Sequence, residues 1–333
     1  MESLKRRGRL LASGKSGVYH VLNRVALSSM LLNGEAKAVF LRMMRRQAAF
    51  AGVEVLAHCV MTNHFHVLVR VPKTVELSDD ELLRRYRLLY GVDRPHSAPD
   101  PEVLALLFKQ GGNIAGLWRK RLHARMHLLS PFIAELKQRF SIWFNDHHNN
   151  KGTVWSERFK SVLVQDLPEF VAPAAAYIDL NPVRAGIVSD PGEYAYSSYG
   201  SAMQGSAIAR RGLSLIYYKE NRWNVAFAAY RVLLFGKGAE SCWLGKENSG
   251  MLDAERAYAV IREGGRLTWA EYLRMRVGYF SRGRALGSES FIQTLKLDKK
   301  LFPRQHTSSG AKPITGVMNP VFSLKNLQQF PIG

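Results

Sequence analysis

The sequence predicts an α+β fold, in which strands and helices share the core. Runs of β-branched and apolar residues at 17–24, at 53–61 and from His64 onward are typical of strands. Between the first two runs, residues 35–50 carry apolar side chains at helical spacing. A fourth run, 154–164, has the alternation of a strand. The chain is 47% hydrophobic and can therefore fill a core.

Turn and capping residues mark the limits of these elements. Gly52 follows the first amphipathic helix and is expected to end it. The break at Thr62-Asn63 separates the second and third strands, which form either a hairpin or one long bent strand. A later helix is expected to begin with Pro131, with Ser130 as its cap.

Changes in composition divide the chain into five predicted parts. Charged helical segments and breaks rich in proline and glycine set off an insertion from a core, and further helical patterns follow the core. The parts are a basic flexible N-terminus at 1–14, a core at 15–74 and 130–204, a helical insertion at 75–129, a helical C-terminal domain at 205–307 that could bind DNA, and an extended tail at 308–333.

The net charge predicts a polyanionic partner. Lys and Arg number 47 against 27 Asp and Glu, which gives a formal charge of +20. Nucleic acid is the first candidate, because no apolar run approaches the roughly 20 residues of a spanning helix and no signal-peptide core is evident.

The only cysteines, Cys59 and Cys242, have no metal-ligand spacing. We expect a cytoplasmic protein without a membrane partner.

Two histidines lie inside the third predicted strand. Because strand side chains alternate between faces, His64 and His66 point the same way, and Phe65 and Val67 point into the opposite layer. Neighbouring neutral imidazoles can reach one divalent ion. Two hydrogen-bonded core histidines are the alternative, and the pattern by itself does not decide between them.

A later helix could bring a phenol to these histidines. Tyr177 and Asn181 are four residues apart and share a helix face, and Pro182 should end the helix near Asn181. Two imidazoles and an amide oxygen suit Mg²⁺ or Mn²⁺ bound together with a phosphate, and the phenol could attack phosphorus. Taken singly, Tyr177 could be a packed tyrosine and Asn181 a helix-terminating residue.

Several further residues have side chains suited to contact with DNA phosphates or bases. These are Tyr19, Asn23, Arg24, Trp155, Arg158, Lys160 and Arg184. Each has a structural alternative: an ordinary strand end for Tyr19, Asn23 and Arg24, core packing for Trp155, a solvated edge strand for Arg158 and Lys160, and a helix cap for Arg184.

The motifs resemble those of a known group of enzymes. The segment Met61-Thr62-Asn63-His64-Phe65-His66 resembles the His-hydrophobic-His motif of the HUH endonucleases. Residues 155–164, 177–186 and 196–199 are similar to segments of the single-tyrosine transposases, in particular the REP-associated tyrosine transposases. Apart from the insertion, the resemblance covers about residues 15–200.

This resemblance implies a fold and a reaction. The fold would be a ferredoxin-like core, an antiparallel sheet with helices on one or both faces. The reaction would cut and rejoin single-stranded DNA beside a palindromic hairpin through a 5′-phosphotyrosine, in a cytoplasmic, nucleoid-associated protein. Tyr177 would be the nucleophile, and His64, His66 and Asn181 would bind Mg²⁺ or Mn²⁺. Pro173 departs from the family pattern, so the helix that carries Tyr177 is expected to begin late or to kink.

Two other functions remain open at this point. A regulator that binds hairpin DNA could keep the fold without cleaving, and a metallohydrolase could use water in place of the phenol. The sequence is compatible with a monomer and with a homodimer.

Overall fold

The computed structural model describes residues 10, 15–26, 32–91, 94–95, 97–218, 222–235, 268–274, 279–297, 311–314 and 321–324. Most of the predicted N-terminal segment, Cys242 and much of the predicted tail lie outside this part of the chain. So does a helical pattern at 253–263.

The four longest strands of the described residues lie next to one another in the sheet. They are β1 (Gly17–Arg24), β2 (Glu54–Val60), β3 (His64–Val71) and β4 (Lys160–Val164). Their order is β2-β3-β1-β4, and each neighbouring pair is antiparallel. Helix α1 (Gly34–Ala51) connects β1 to β2, and a second long helix precedes β4. This β-α-β-β-α-β order is the ferredoxin-like topology, so the predicted α+β fold class is confirmed.

Helices account for most of the remaining elements. In chain order they are α2 (Asp79–Tyr90), α3 (Pro101–Gln110), α4 (Gly112–His123), α5 (Leu129–His147), α6 (Pro168–Asp179), α7 (Asn181–Arg184), α8 (Ser198–Met203), α9 (Ala207–Ile216), α10 (Trp223–Phe235), α11 (Trp269–Arg274), α12 (Tyr279–Arg282) and α13 (Glu289–Leu297). A 3₁₀ turn spans Pro191–Glu193. No helix in the described ranges is long and apolar enough to cross a membrane.

The local sequence explains where α1 begins and ends. Asn33 caps its first turn, because its side-chain oxygen accepts a hydrogen bond from the Ala36 amide at 2.8 Å. Gly52 ends the helix in the left-handed region at φ 65°, as its position predicted. The hairpin alternative holds for β2 and β3, and α5 begins at Leu129, two residues before the predicted Pro131.

The C-terminal part of the chain extends the sheet. Strand β5 (Ala285–Gly287) pairs in parallel with β4, and β7 (Phe322–Ser323) and β6 (Lys312–Pro313) follow outward from β5. Within the described residues the sheet therefore has seven strands and is mixed, whereas the sequence predicted an antiparallel sheet followed by helices. Strands of two or three residues are too short to show a periodic pattern.

The fourth strand is shorter than predicted. Residues 154–164 were expected to be extended, but only Lys160–Val164 forms β4. Trp155 makes a single bridge to Val25, and the chain bends between Trp155 and Lys160. The apolar residues on both sides of this bend are buried, and their spacing in the sequence resembles the alternation of a strand.

The sheet separates two hydrophobic layers. Tyr19, Val21, Phe65 and Val67 belong to the cluster that contains the buried residues of α1 and α5. Val18, Leu68, Val162 and Val164 belong to the other cluster, together with the buried residues of α6. Alternation along β3 therefore places His64 and His66 on the α6 side of the sheet.

We expect Leu136→Ala to destabilise the chain by about 2–5 kcal/mol, because Leu136 is fully buried on α5 and its truncation leaves a cavity. Leu106→Ala is the matched control, since Leu106 is 59% exposed on α3; its effect should stay within about 0.5 kcal/mol. Urea unfolding followed by circular dichroism measures both. Equal losses in the two variants would contradict the placement of α5 against the core.

Candidate active site

The two predicted histidines lie side by side at the start of β3. Their ring centroids are 5.0 Å apart, and the rings meet edge-on at 84°. His66 is 3% exposed, and His64, the first residue of the strand, is partly exposed. His66 is therefore buried, and His64 is the solvent-accessible end of the pair.

Helix α6 brings Tyr177 to this pair. Its ring centroid lies 6.4 Å from that of His66, and the rings are nearly perpendicular. The Arg184 guanidinium lies 4.0 Å from the centre of the Tyr177 ring, and the Phe280 ring stacks on it at 4.9 Å. Tyr177 is 7% exposed and is held in one orientation by these two contacts.

Asn181 follows Tyr177 by four residues but is not part of the same helix. Helix α6 runs from Pro168 through Pro173, so it does not begin late, and it ends at Asp179. The Asn181 Nδ2 donates to the carbonyl oxygens of Tyr177 at 3.2 Å and Ile178 at 3.0 Å. Because these bonds use the amide nitrogen, the Oδ1 atom is the part of the side chain left for a cation.

Sequence analysis did not identify the third histidine of the site. His20 lies on β1, and its Nε2 is 2.8 Å from the Nδ1 of His66. Its own Nδ1 is 2.5 Å from the carbonyl oxygen of Phe280, on α12. His20 pairs with Leu68 across the sheet, so it is a diagonal neighbour of His66 on the same face. Strand alternation gives the face on which His20 lies, but the contact with His66 also depends on the pairing of β1 with β3, which no local pattern predicts.

Burial keeps all three imidazoles neutral. Burial, together with the positive charge of Arg184, lowers the pKa of His20 to about 4. Burial and the charges of Arg24 and Arg184 lower the pKa of His64 to about 4. Burial and neighbouring positive charge lower the pKa of His66 well below its usual value. Neutral imidazole is the form that binds metals.

The donor types of these side chains suit a divalent metal with open positions. His64 Nδ1 lies 2.6 Å from the Asn63 Oδ1, and donation to that oxygen leaves His64 Nε2 as an acceptor. His66 and the Asn181 Oδ1 would complete a set of two imidazoles and one amide. No group of three or more His, Cys, Asp or Glu side chains in the described residues could hold a metal, so substrate oxygens or water would have to fill the remaining positions.

Three predicted DNA contacts are accessible. Arg24 is exposed at the end of β1, directly opposite His64 in the β1–β3 register. Arg158 is exposed in the bend before β4. Lys160 is exposed as well, and its Nζ lies 2.8 Å from a Glu157 carboxylate oxygen. The bend lies beside the end of β1, because the Ser156 amide donates to the Arg24 carbonyl oxygen at 3.1 Å.

Tyr19 and Asn23 do not fit the predicted contact with DNA. They lie on the β1 face opposite His20, where Tyr19 is 3% and Asn23 2% exposed. Asn23 accepts a hydrogen bond from the Lys137 Nζ and donates to the Glu157 carbonyl oxygen at 3.2 Å. DNA could not reach either side chain without disrupting the contacts with α5.

Trp155 packs in the core, which is the alternative given for it above. It lies against Phe65 and Phe140, with ring centroids 5.4 and 5.6 Å away. Its Nε1 donates to the Lys137 carbonyl oxygen at 3.2 Å. The indole therefore has no free face for a base in this structure.

Arg184 is buried and bonded within the protein, so in this structure its side chain is not placed for the predicted phosphate contact. It is 3% exposed and donates to the carbonyl oxygens of Leu273 at 2.7 Å and Tyr177 at 2.6 Å. Its guanidinium links α7 to α11 and lies against the Tyr177 ring. The bond to the Tyr177 carbonyl corresponds to the helix cap, which was the alternative given for Arg184, whereas the sequence did not suggest its contact with the Tyr177 ring.

Comparisons with known proteins agree with the motifs. Residues 14–80 match the model of the IS200-like transposases, a segment that contains His20, His64 and His66. The resemblance to this kind of transposase is thereby confirmed for the first three strands. No curated protein matches the chain significantly.

Several solved chains are similar to this fold. One of them is a REP-associated tyrosine transposase bound to a REP hairpin, 14% identical, with a TM-score of 0.34. The overlap covers 60% of this chain and 84% of that one.

We expect the ring of His64 to remain neutral from pH 8 down to about pH 5, because its pKa is lowered to about 4. Ring NMR signals, assigned with a His64→Gln variant, measure this. The urea-unfolded chain is the control, in which histidine should titrate near pH 6.5. Titration of folded His64 near pH 6.5 would contradict a buried, charge-flanked imidazole.

Proposed function

We propose that this chain is a metal-dependent single-tyrosine transposase, which cleaves and rejoins single-stranded DNA beside hairpin sequences. The observation that supports this best is the position of Tyr177, whose ring lies 6.4 Å from His66 on the face of the sheet that also carries His64. The match of residues 14–80 to the IS200-like transposases supports the same class of reaction. The choice of hairpin DNA rests on the resemblance of the motifs.

Tyr177 supplies the nucleophile in this proposal. Its phenol oxygen attacks a backbone phosphorus, the bond from phosphorus to the 3′ oxygen breaks, and the phenol proton is lost as the 3′ oxygen gains one. The products are a 5′-phosphotyrosine and a free 3′ hydroxyl. Attack by a second 3′ hydroxyl on the phosphotyrosine reverses these changes and joins a new pair of DNA ends.

His64, His66 and Asn181 would hold Mg²⁺ or Mn²⁺. When bound, such an ion would polarise a non-bridging phosphate oxygen and offset the charge that develops in the transition state. The chain itself contributes the neutral imidazoles and the fixed phenol. Arg184 and Phe280 hold the Tyr177 ring, which limits the positions from which its oxygen can attack.

The distribution of charge suits a nucleic-acid substrate. The chain carries a formal charge of +20, and the exposed Arg24 lies opposite His64 at the end of β1. Arg158 and Lys160 extend the basic surface along the bend before β4. A single strand that followed these cations would pass the accessible end of the histidine pair, in a protein that acts in the cytoplasm near the nucleoid.

We expect Tyr177→Phe to abolish a covalent protein–DNA adduct, because the variant keeps the ring contacts but lacks the attacking oxygen. A labelled hairpin oligonucleotide is incubated with the full chain and Mn²⁺ and is analysed on a denaturing gel. Tyr218→Phe is the matched control, since Tyr218 is 55% exposed and its hydroxyl donates to the Asp166 carbonyl oxygen. The control should form the adduct at the wild-type level.

Two other results of that assay would contradict the proposal. Free cleaved ends that persist in Tyr177→Phe would indicate a hydrolase that uses water. Unchanged binding with no adduct in the wild-type chain would indicate a DNA-binding regulator.

We expect DNA affinity to fall steeply with salt, because each neutralised phosphate releases bound counterions. Arg158→Ala should reduce the slope of log affinity against log salt concentration by about 1 if Arg158 contacts a phosphate. Arg84→Ala removes the same charge from α2, where Arg84 pairs with Glu81 at 2.7 Å, and should leave the slope unchanged. Fluorescence anisotropy at several salt concentrations measures both. Equal slopes for Arg158→Ala and the wild-type chain would exclude this contact.

A further inference from the structure

We propose that His20 is a positioning residue, which fixes the proton of His66 on Nδ1 and so keeps His66 Nε2 available as a metal ligand. The inference rests on the proposed function only in treating His66 as a ligand. The hydrogen-bonded series runs from the Phe280 carbonyl oxygen through His20 to His66.

The Phe280 carbonyl determines the tautomer of His20. A carbonyl oxygen can only accept a hydrogen bond, so the His20 Nδ1 at 2.5 Å must carry the hydrogen. A neutral imidazole has one N–H group. The Nε2 of His20 is therefore a lone-pair acceptor.

His20 in turn determines the tautomer of His66. The His66 Nδ1 lies 2.8 Å from the His20 Nε2, and because that nitrogen is an acceptor, His66 Nδ1 must donate. The single proton of neutral His66 is then on Nδ1. Its Nε2 keeps the lone pair that a metal requires.

The surroundings favour neutral rings at both positions. His20 is 2% and His66 3% exposed, and neither is paired with a carboxylate among the described side chains. A second proton on His20 would place an uncompensated charge in a buried site. It would also add to the positive field of Arg184, which contacts the neighbouring Tyr177 ring.

The same residue of α12 contacts both parts of the site. The Phe280 carbonyl binds His20, and the Phe280 ring stacks on Tyr177. Helix α12 is a single turn, and the last carbonyls of a helix have no partner within it. The Phe280 carbonyl is therefore available to accept a hydrogen bond from His20. Through His20, this residue of the C-terminal part of the chain determines which nitrogen of His66, on β3, carries the proton.

The tautomer can be measured on the metal-free full chain. Long-range ¹H–¹⁵N NMR spectra distinguish a protonated ring nitrogen from one with a lone pair. We expect protonated Nδ1 atoms in His20 and His66 and an unprotonated Nε2 in His66. A proton on His66 Nε2 would overturn the proposal, whether or not the chain cleaves DNA.

The consequence for metal binding is tested with Mn²⁺ alone, by electron paramagnetic resonance of the free ion. His20→Leu removes the acceptor and should weaken Mn²⁺ binding by about 10–100-fold. His20→Gln can place an amide oxygen near the former Nε2 and should restore most of the affinity. His58→Leu makes the same change at another buried strand histidine, one bonded to Ser198 at 2.8 Å, and should leave the affinity unchanged.

Each remaining outcome decides the question. A folded His20→Leu with wild-type Mn²⁺ affinity, or an equal loss in His58→Leu, would overturn the positioning role. If His20→Leu does not fold, the Mn²⁺ affinity of His20→Gln and the tautomer of His66 in the wild-type chain test the positioning role. A wild-type chain that binds no Mn²⁺ and forms no adduct refutes the proposed function, while the NMR spectra still test the tautomer.

Discussion

The site depends on the alternation of side chains along β3. His64 and His66 face α6 because Phe65 and Val67 face α1 and α5, and a shift of one residue would exchange the two sets. The register is stabilised from the far side of the sheet, where Phe65 packs against Phe40 and Trp155 at centroid distances of 4.8 and 5.4 Å. An aromatic core on one face therefore fixes the imidazoles on the other.

Burial of His20, His66 and Arg184 is compatible with stability because each of these three side chains has a specific partner. His66 bonds to His20, His20 bonds to the Phe280 carbonyl, and Arg184 bonds to two further carbonyls. A buried imidazole in this arrangement stays neutral, which preserves both the hydrogen bonds and the capacity to bind a metal. The buried hydrogen bonds and the proposed metal binding thus both require neutral imidazoles.

The sequence predicted the features that local patterns control. Strand periodicity placed His64 and His66 on one face, Pro182 indicated the end of the helix that carries Tyr177, and Gly52 marked the end of α1. Features set by pairing between distant segments were missed. Tyr19 and Asn23 were candidates although alternation along β1 puts them on the face opposite His20, and the contact between His20 and Phe280 joins the first strand to a helix near the end of the chain. The short strands β5, β6 and β7 exist only through pairing with an existing edge.

Identification of the covalently modified residue tests the central claim most directly. After reaction with hairpin DNA and nuclease trimming, tryptic digestion should release residues 161–184, a peptide in which Tyr177 is the only tyrosine. The account predicts that tandem mass spectrometry finds a nucleotide 5′-phosphate on Tyr177 in this peptide. A nucleotide attached to any other residue, with peptide 161–184 unmodified, would contradict it.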